Sequence, residues 1–540
     1  MAKFLPRYLK YLCSMKTIFL FAAFAAPFWV LGQSVDSEAY ELRWSRQYPN
    51  REIQLDYVSA LDSSSFTTYG SISGGFFNKP KNFFARYDRE SMSQLWQLEE
   101  IPEDYQGLPV VFRRMITVEG TSYVYYSAYS RVKDKRYVLL RTISSNGDIS
   151  DLKELLQVPA QNIREGNFSV AWDASLKGFA LVSFPDVGLR EEVQVSVHRF
   201  DREGNELASQ MVRIDYSERG IDFVDVEYAV NGDVYMLAVR RADRNRGDLR
   251  GFAQPNREFL ILHADSDDEL FQEVDLGLAG KFIVGGVSVE ADQIPGKVNI
   301  TGMYSDRRYG TTTGMFYLSL DQKTLQPSST DFESLRDFEL MNSGIRDGMA
   351  LAQRRGIANE EFRFRESIPR LGGGSLVVME DMDVRVVTTT NRGVTTTMYY
   401  YYYDNIWAML VDAQGQIEKV VVLPKFQYSV NDGGRFLGFE LARDGQDFLF
   451  FFNDAKGNQK RWAEGKAPLV MRQAARGCLA MVRMKSDGSL TYHQVIDNPK
   501  ERSVLLPTRG TTFIDFPGEV VMPGLKRGRW VFMSLRPERN

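Results

Sequence analysis

One pattern recurs seven times along this chain: an apolar strand, a short polar turn, and a second strand that follows at once. Successive turns are separated by 56, 57, 64, 56, 91 and 73 residues, so a single structural unit repeats and carries two insertions. A repeat of this length is typical of a propeller or of another repeat array. The equivalent turn positions are Asp88, Ser144, Asp201, Asp265, Asp321, Asp412 and Lys485.

Each repeat is predicted to contain four antiparallel strands. Residues 112–158, for example, divide into four β-branched and aromatic runs, separated by Gly120, by a charged VKDK turn and by Asn146-Gly147. Runs of this composition between such turns predict consecutive hairpins. The second and third runs are continuously apolar, as in strands that are buried on both faces, and the stacked blades of a propeller bury both faces.

The two ends of the chain are predicted to share one blade. Three strand-like runs begin at Thr511, Val520 and Arg529, and the run from Tyr40 to Pro49 resembles an outer strand without a blade of its own. A blade made from both ends closes the ring and removes open edges. We therefore predict an all-β protein, a β-propeller of about eight four-stranded blades closed by N- and C-terminal strands. A seven-bladed ring is the alternative if the C-terminal strands are only an extension.

Two insertions interrupt the even spacing of a single propeller domain that spans residues 33–540. Residues 331–370 lose the strand alternation and predict one short helical insertion. Residues 454–476 form a second, strongly basic insertion. We expect both to be long loops on a face of the ring.

Residues 1–32 are predicted to be a signal peptide, with Met15 as an alternative start. Lys16 precedes an apolar run that ends at Gly32, and this run is too short for a membrane span. Cleavage would leave Gln33 first, where a lipid-anchored leader would need a cysteine. The protein is thus expected to be exported to the periplasm, the outer membrane or the exterior, with no transmembrane span after leader removal.

The net charge indicates which partners are expected, and the cysteine content indicates what stabilises the fold. The leader contains four basic and no acidic residues, so the net charge of −4 becomes −8 after cleavage, and nucleic acid is not expected as a partner. Cys13 lies in the leader and Cys478 in a predicted strand. The mature chain therefore has no internal disulfide and depends on its core.

The sequence contains no local catalytic motif. We find no Gly-x-Ser-x-Gly, Walker or His-Glu-x-x-His pattern, and the three histidines occupy ordinary strand positions. No catalytic residue, metal ligand or cofactor is predicted. Carboxylates contributed by separate blades would leave no characteristic spacing. A carbohydrate-active or other hydrolytic propeller with carboxylates at the central channel is therefore the alternative function.

The first candidate surface is a tyrosine-rich hairpin over residues 384–405. Because side chains alternate along a strand, Tyr399, Tyr401 and Tyr403 share one face, and Tyr400 and Tyr402 share the other. Tyrosine combines a rigid apolar ring with a polar tip, which suits a glycan or protein partner. The structural alternative is that one tyrosine face packs on the neighbouring blade.

Two further candidates lie nearby. Asn431 and Asp432 precede two glycines, so they form either a tight turn or a loop that presents its oxygens to a ligand. Trp462 lies in the basic insertion, which either contacts anionic headgroups or an acidic partner or is a solvated loop.

The second half of the chain resembles a family of exported, uncharacterised β-propeller proteins from Gram-negative bacteria. The residues that carry the resemblance are GGGSLVVMED from Gly372, MYYYYYDNIWAML from Met398 and SVNDGG from Ser429, within about a third of the chain. Met382 and Asp383 stand where tyrosines are expected in that family. The resemblance implies a propeller and export but no known reaction.

These observations favour an exported, non-catalytic β-propeller that acts as a binding or scaffolding module in the cell envelope. Rigid blades that display loops suit this function. The expected partner is an envelope protein or a glycan. The expected state is a monomer or a subunit of a hetero-complex.

Overall fold

A computed structural model shows an all-β propeller in which the described residues form eight antiparallel sheets. Each sheet has four main strands and is one blade. The structure describes residues 40–48, 53–59, 64–72, 81–99, 104–184, 192–217, 221–241, 257–266, 271–276, 278–307, 312–334, 362–391, 394–507, 515–516 and 519–537.

The first four blades follow strand β1 in chain order. Their strands succeed one another along the sequence, with β6 as a short addition to blade 2. The bounds are β1 (Tyr40–Trp44); in blade 1 β2 (Ile53–Ser59), β3 (Ser65–Ile72), β4 (Lys81–Asp88) and β5 (Gln94–Glu99); in blade 2 β6 (Asp104–Tyr105), β7 (Leu108–Val118), β8 (Thr121–Ser130), β9 (Lys135–Ile143) and β10 (Lys153–Pro159); in blade 3 β11 (Asn167–Trp172), β12 (Gly178–Phe184), β13 (Glu192–Asp201) and β14 (Glu206–Ser217); and in blade 4 β15 (Ile221–Tyr228), β16 (Val234–Arg241), β17 (Arg257–Ala264) and β18 (Phe271–Asp275).

The remaining blades follow the same plan, and the helical segments described lie in or after blade 7. The bounds are, in blade 5, β19 (Phe282–Ala291), β20 (Lys297–Ser305), β21 (Gly314–Asp321) and β22 (Pro327–Ser334); in blade 6 β23 (Phe362–Pro369), β24 (Ser375–Asn391), β25 (Val394–Val411), β26 (Ile417–Leu423) and β27 (Gln427–Val430); in blade 7 β28 (Glu440–Asp444), β29 (Asp447–Asp454), helix α1 (Asn458–Ala463), a 3₁₀ turn (Ala474–Arg476), β30 (Cys478–Met484) and β31 (Leu490–Asp497); and in blade 8 α2 (Asn498–Glu501), β32 (Ser503–Leu505), β33 (Asp515–Phe516), β34 (Glu519–Lys526) and β35 (Arg529–Pro537).

Blade 8 confirms that the two ends of the chain share a sheet. Strand β1 is its outer strand and pairs antiparallel with β35, from Tyr40 opposite Pro537 to Trp44 opposite Met533. The prediction of eight blades is confirmed. One detail was wrong: the innermost strand is β32, which begins at Ser503 instead of Thr511, and only the short β33 falls in the predicted run.

Eight clusters of buried apolar side chains hold neighbouring blades together. Each cluster combines residues from two consecutive blades, and the series returns from blade 8 to blade 1. At that junction the rings of Phe66 and Phe532 meet edge to face with their centroids 4.7 Å apart. Because each blade buries both faces in this way, its second and third strands read as continuous apolar runs.

The recurrent acidic residue of the repeat has a local structural role. At the turn between β25 and β26, the Asp412 Oδ1 atom accepts hydrogen bonds of 2.8 Å from the backbone N–H groups of Gln414 and Gln416. Gly415 then adopts a φ of +79°, which glycine tolerates best. The Asp201 Oδ1 atom accepts the N–H of Asn205 in the same way at 2.7 Å.

The two predicted insertions agree with the structure to different extents. Residues 331–334 belong to β22 and residues 362–369 to β23, so the first insertion is shorter than predicted. Its proposed helical part, residues 335–361, lies outside the described residues. The second insertion connects β29 to β30 and contains the short helix α1.

Candidate functional site

The tyrosine-rich segment forms a hairpin that extends far beyond the other strands of blade 6. Strands β24 and β25 have 17 and 18 residues and remain paired up to Asn391 opposite Val394. A bulge between Glu380 and Met382 shifts the register where the extension begins. The short strand β27 then pairs with the tyrosine run, so the extension is a three-stranded sheet.

One face of this hairpin is part of the protein core. Tyr403 is only 9% exposed, and Tyr401 is partly buried beside it. Both pack in a cluster with Leu437, Met471 and Val504, which come from the segments before, within and after blade 7. The burial of Tyr403 favours the structural alternative, in which its ring fills the contact with the neighbouring blade. Tyr401 is partly exposed, and its role in binding stays a prediction. Tyr399, nearer the tip, is 44% exposed.

The opposite face carries a second group of tyrosines, which lie outside this core cluster. Tyr400, Tyr402 and Tyr428 are partly exposed and form what we call the outer tyrosine face. The Tyr428 ring centroid lies 5.1 Å from that of Tyr402 and 6.3 Å from that of Tyr400. The Arg385 guanidinium stands 5.0 Å from the Tyr402 ring centroid and pairs with Asp383. Burial and the neighbouring Tyr428 raise the pKa of Tyr402.

Asn431 and Asp432 form a tight turn that fastens the hairpin. The Asn431 Oδ1 atom accepts the N–H of Tyr399 at 2.8 Å, and the Asn431 N–H donates to the Tyr399 carbonyl at 3.0 Å. The Asp432 Oδ1 atom accepts from the Ser429 hydroxyl and from the N–H of Gly434. Local hydrogen bonds therefore engage both side chains.

Trp462 does not lie on a surface. It is 4% exposed and packs against Tyr492, with their ring centroids 5.4 Å apart. The prediction that this residue contacts headgroups or a partner is therefore wrong. Helix α1 is short, and the indole ring of Trp462 is the main apolar group that packs this helix against the core.

A buried ionic network supports the base of the hairpin. The Lys425 ammonium donates to Glu380 Oε1 at 2.8 Å, to Gln427 Oε1 at 3.0 Å and to the Tyr403 carbonyl at 3.0 Å. The side chains of Lys425 and Glu380 are both fully buried. Such a network holds its members in one arrangement because leaving either charge unpaired would be costly.

The sequence did not identify a group of carboxylates on the first strands of blades 4, 5 and 6. Asp225 and Glu227 lie on β15, Glu290 on β19 and Glu366 on β23, and these strands contact one another in succession around the channel. Asp225 Oδ2 accepts from the Ser288 hydroxyl at 2.8 Å, which bridges blades 4 and 5. Residues on different strands of this group are 63 to 141 positions apart along the chain, so only the closed ring brings them together.

Burial raises the pKa values of these acids, and neighbouring negative charges add to the shifts of the three glutamates. Burial raises the pKa of Glu290 to about 7 and that of Glu366 to about 8, and Glu440 adds to the shift of Glu366. The pKa of Glu227 is raised well above its usual range by burial and by the negative charges of Asp225 and Glu290. Such perturbed groups are frequent at functional sites and also occur in structural networks.

Other chemistry-bearing groups are held in structural contacts. His263 Nε2 lies 3.2 Å from Asp233 Oδ2, and its ring stacks on Tyr235. Cys478 is buried, which raises the pKa of its thiol to about 12. Among the residues that the structure describes, no three His, Cys, Asp or Glu side chains are grouped so as to hold a metal ion. None of the described helices has the length and apolarity needed to cross a membrane.

No protein-family model matches this chain. No curated protein matches it either. Several solved propeller structures are similar in fold. The β-propeller domain of the Trilobed protease from Pyrococcus furiosus is 9% identical, with a TM-score of 0.34 over 84% of this chain and 98% of that chain.

Two further solved structures show the same level of similarity. Prolyl oligopeptidase B from Galerina marginata is 8% identical, with a TM-score of 0.38 over 85% of this chain and 54% of that chain. A Synechocystis apocarotenoid oxygenase is 9% identical, with a TM-score of 0.30 over 73% of this chain and 95% of that chain. At these identities the likeness is one of fold alone.

Proposed function

We propose that this protein is an exported, non-catalytic β-propeller that binds a protein partner in the cell envelope through the outer tyrosine face. The observation that carries the proposal is the accessible cluster of Tyr400, Tyr402 and Tyr428 with Arg385 at its edge. Tyrosine and arginine are enriched among the residues that contribute most to protein interfaces.

The hairpin is built as a rigid support for such a surface. Its inner face is anchored in the core through Tyr403, and its base is fixed by the buried Lys425–Glu380 pair. A surface that is already ordered loses little conformational entropy on binding, which favours affinity. Among the described residues, no protein acceptor lies within hydrogen-bond distance of the hydroxyl groups of Tyr402 and Tyr428, so these groups are available to polar groups of a partner.

The test compares two alanine variants of the same strand. Tyr402→Ala removes the centre of the outer tyrosine face, whereas Tyr399→Ala removes an exposed ring near the tip, on the other side of the strand. Each tagged variant is cross-linked in envelope fractions, and the captured proteins are identified. We expect Tyr402→Ala to lose the wild-type partner and Tyr399→Ala to retain it. Binding centred on such a residue is expected to weaken by about 2 kcal/mol or more.

Equal capture by both variants with unchanged melting temperatures would contradict the proposed surface. Capture of a glycan instead of a protein would assign the same face to a different class of partner. Circular dichroism controls for folding, because the side chain of Tyr402 is partly buried.

Export is part of the same proposal and rests on the charged residue and apolar run before Gln33. The similarity of the second half to exported propellers supports it. We expect Edman or mass-spectrometric analysis of the mature protein to give Gln33 as the first residue. A mature chain that keeps Cys13 with a lipid attached would contradict this prediction.

A hydrolytic propeller is the second candidate, and the buried carboxylates of the channel favour it. An acid whose pKa is about 8, such as Glu366, is protonated at neutral pH and has the protonation state of a general acid. Hydrolysis of a panel of oligosaccharides and peptides by the wild type, with loss of about a hundredfold or more in Glu366→Gln, would support this candidate. An absence of turnover across the panel would favour the binding module.

A further inference from the structure

A second feature of the channel, which shares Asp225 with the carboxylate group, is a cavity of about 300 Å³ between blades 2, 3 and 4. The charged residues that line the cavity are mostly basic: three arginines come from blade 2 and one acid comes from blade 4. The lining residues on which the inference depends are Arg113, Arg114, Arg136, Phe168, Ser169 and Asp225. This volume is at the lower end of the range for small-ligand sites.

The arginines of this cavity have no acidic partner within ion-pair distance among the described residues. Arg136 is only 3% exposed, and it donates to the carbonyls of Ile163 at 2.5 Å and Glu165 at 3.0 Å. Arg113 Nε donates to the Ser127 hydroxyl at 2.7 Å, and Arg136 Nη1 reaches the same oxygen at 3.4 Å. Two guanidinium groups therefore share one neutral acceptor.

This arrangement leaves both positive charge and hydrogen-bonding capacity unused. A guanidinium has five N–H donors, and Arg113 uses one of them in the contacts described. Burial lowers the pKa of both Arg113 and Arg136, and the charge of Arg113 adds to the shift of Arg136. Arg113 itself is exposed, whereas Arg136 is buried, and a buried charge without an ionic partner is costly. An anion in the cavity would offset that cost.

The opposite wall does not compete for these donors. Asp225 is already bonded to β19 through the Ser288 hydroxyl and to its own strand through the N–H of Val226. Burial raises the pKa of Asp225, and its hydrogen bonds and the charge of Arg114 act in the opposite direction. Phe168 and Val170 provide apolar contacts, and the Ser169 hydroxyl provides a polar one.

We propose that this cavity binds a small carboxylate-bearing ligand, with Arg113 and Arg136 holding the carboxylate and Phe168 contacting the body of the molecule. The forked donors of arginine match the two oxygens of a carboxylate. A uronic acid of a glycan and the carboxyl terminus of a peptide share this chemistry. The proposal does not depend on the outer tyrosine face.

The test measures binding of defined probes by isothermal titration calorimetry at millimolar concentration. The carboxylate probes are glucuronate and N-acetylalanine, and their neutral counterparts are glucose and N-acetylalanine amide. The main variant is Arg113→Gln. The matched control is Arg131→Gln, an exposed arginine in the β8–β9 turn outside the cavity. We expect a carboxylate probe to bind the wild type and the control equally, and Arg113→Gln at least about tenfold more weakly.

The calorimetric results distinguish the two sources of the carboxylate and can also contradict the proposed site. Binding of glucuronate alone supports a glycan source, and binding of N-acetylalanine alone supports a peptide source. No binding of either acid, undiminished binding by Arg113→Gln, or tighter binding of inorganic phosphate overturns it. If Arg113→Gln shows no cooperative melting, Arg113→Lys replaces it under the same criteria, because lysine keeps the positive charge but lacks the forked donors that match a carboxylate.

Discussion

Several ionisable residues of this propeller lie where water is scarce. Glu290 and Glu366 are partly buried beside other acids, whereas Lys425 and Glu380 neutralise each other in the core. The sequence did not distinguish these two situations, because an acid in a strand has the same appearance in both. What differs is the residue that the next blade places opposite it.

The raised pKa of Glu366 predicts a loss of stability as pH rises. The folded protein holds this proton up to about pH 8, whereas the unfolded chain releases it near the usual value of 4.5. The folded state thus binds more protons between these values, so the free energy of unfolding falls as pH rises through this window. Glu366→Gln removes the penalty, and we expect it to be more stable than the wild type at pH 9 by about 2–4 kcal/mol.

The measurement is urea denaturation of both proteins at pH 5 and pH 9. The exposed Glu119, changed to Gln, is the control and should leave the difference between the two pH values unchanged. A wild type and a Glu366→Gln variant with the same pH dependence would show that Glu366 is ionised in the folded state.

At the level of elements, the hairpin of β24 and β25 shows what side-chain alternation predicts and what it does not. Alternation correctly separated Tyr399, Tyr401 and Tyr403 from Tyr400 and Tyr402. It did not indicate which face is buried, because both faces carry the same residue type. The decision comes from the segment around Met471 and from blade 8, which cover the inner face.

The turn at Asn431 is predicted to fasten this hairpin. Asn431 has a φ of +57° and bonds the backbone of Tyr399 through its side chain. Asn431→Ala loses that bond and places an alanine in a left-handed conformation, so we expect a loss of about 2 kcal/mol. Asn431→Gly keeps the conformation and should lose only about 1 kcal/mol. Thermal denaturation compares the two, and equal losses would rule out a role for the backbone conformation.

At the level of the whole molecule, closure depends on one outer strand from the opposite end of the chain. Strand β1 pairs along β35, and its Leu42 and Trp44 pack against the core between blades 7 and 8. Without this strand, β35 would be an open edge, and open edges promote association between chains.

Removal of β1 is therefore predicted to weaken the ring. A chain that begins at Ser45 should be less stable than one that begins at Gln33 by about 2–4 kcal/mol, because two partly buried apolar side chains and a strand are lost. It should also elute earlier in size-exclusion chromatography. Identical melting and elution of the two chains would show that blade 8 closes without β1.

Local alternation, turn residues and periodic spacing were enough to predict the four-stranded blade and a closing blade shared by the two ends, and they favoured eight blades over seven. The sequence also located the turns at positions such as Asp201 and Asp412, where a side chain bonds its own backbone. The folded structure was needed to show that Tyr403 and Trp462 are buried and that Glu227, Glu290 and Glu366 interact electrostatically. The physical reason is that burial and electrostatic environment depend on residues from other blades, whose separation along the chain bears no relation to their distance in space.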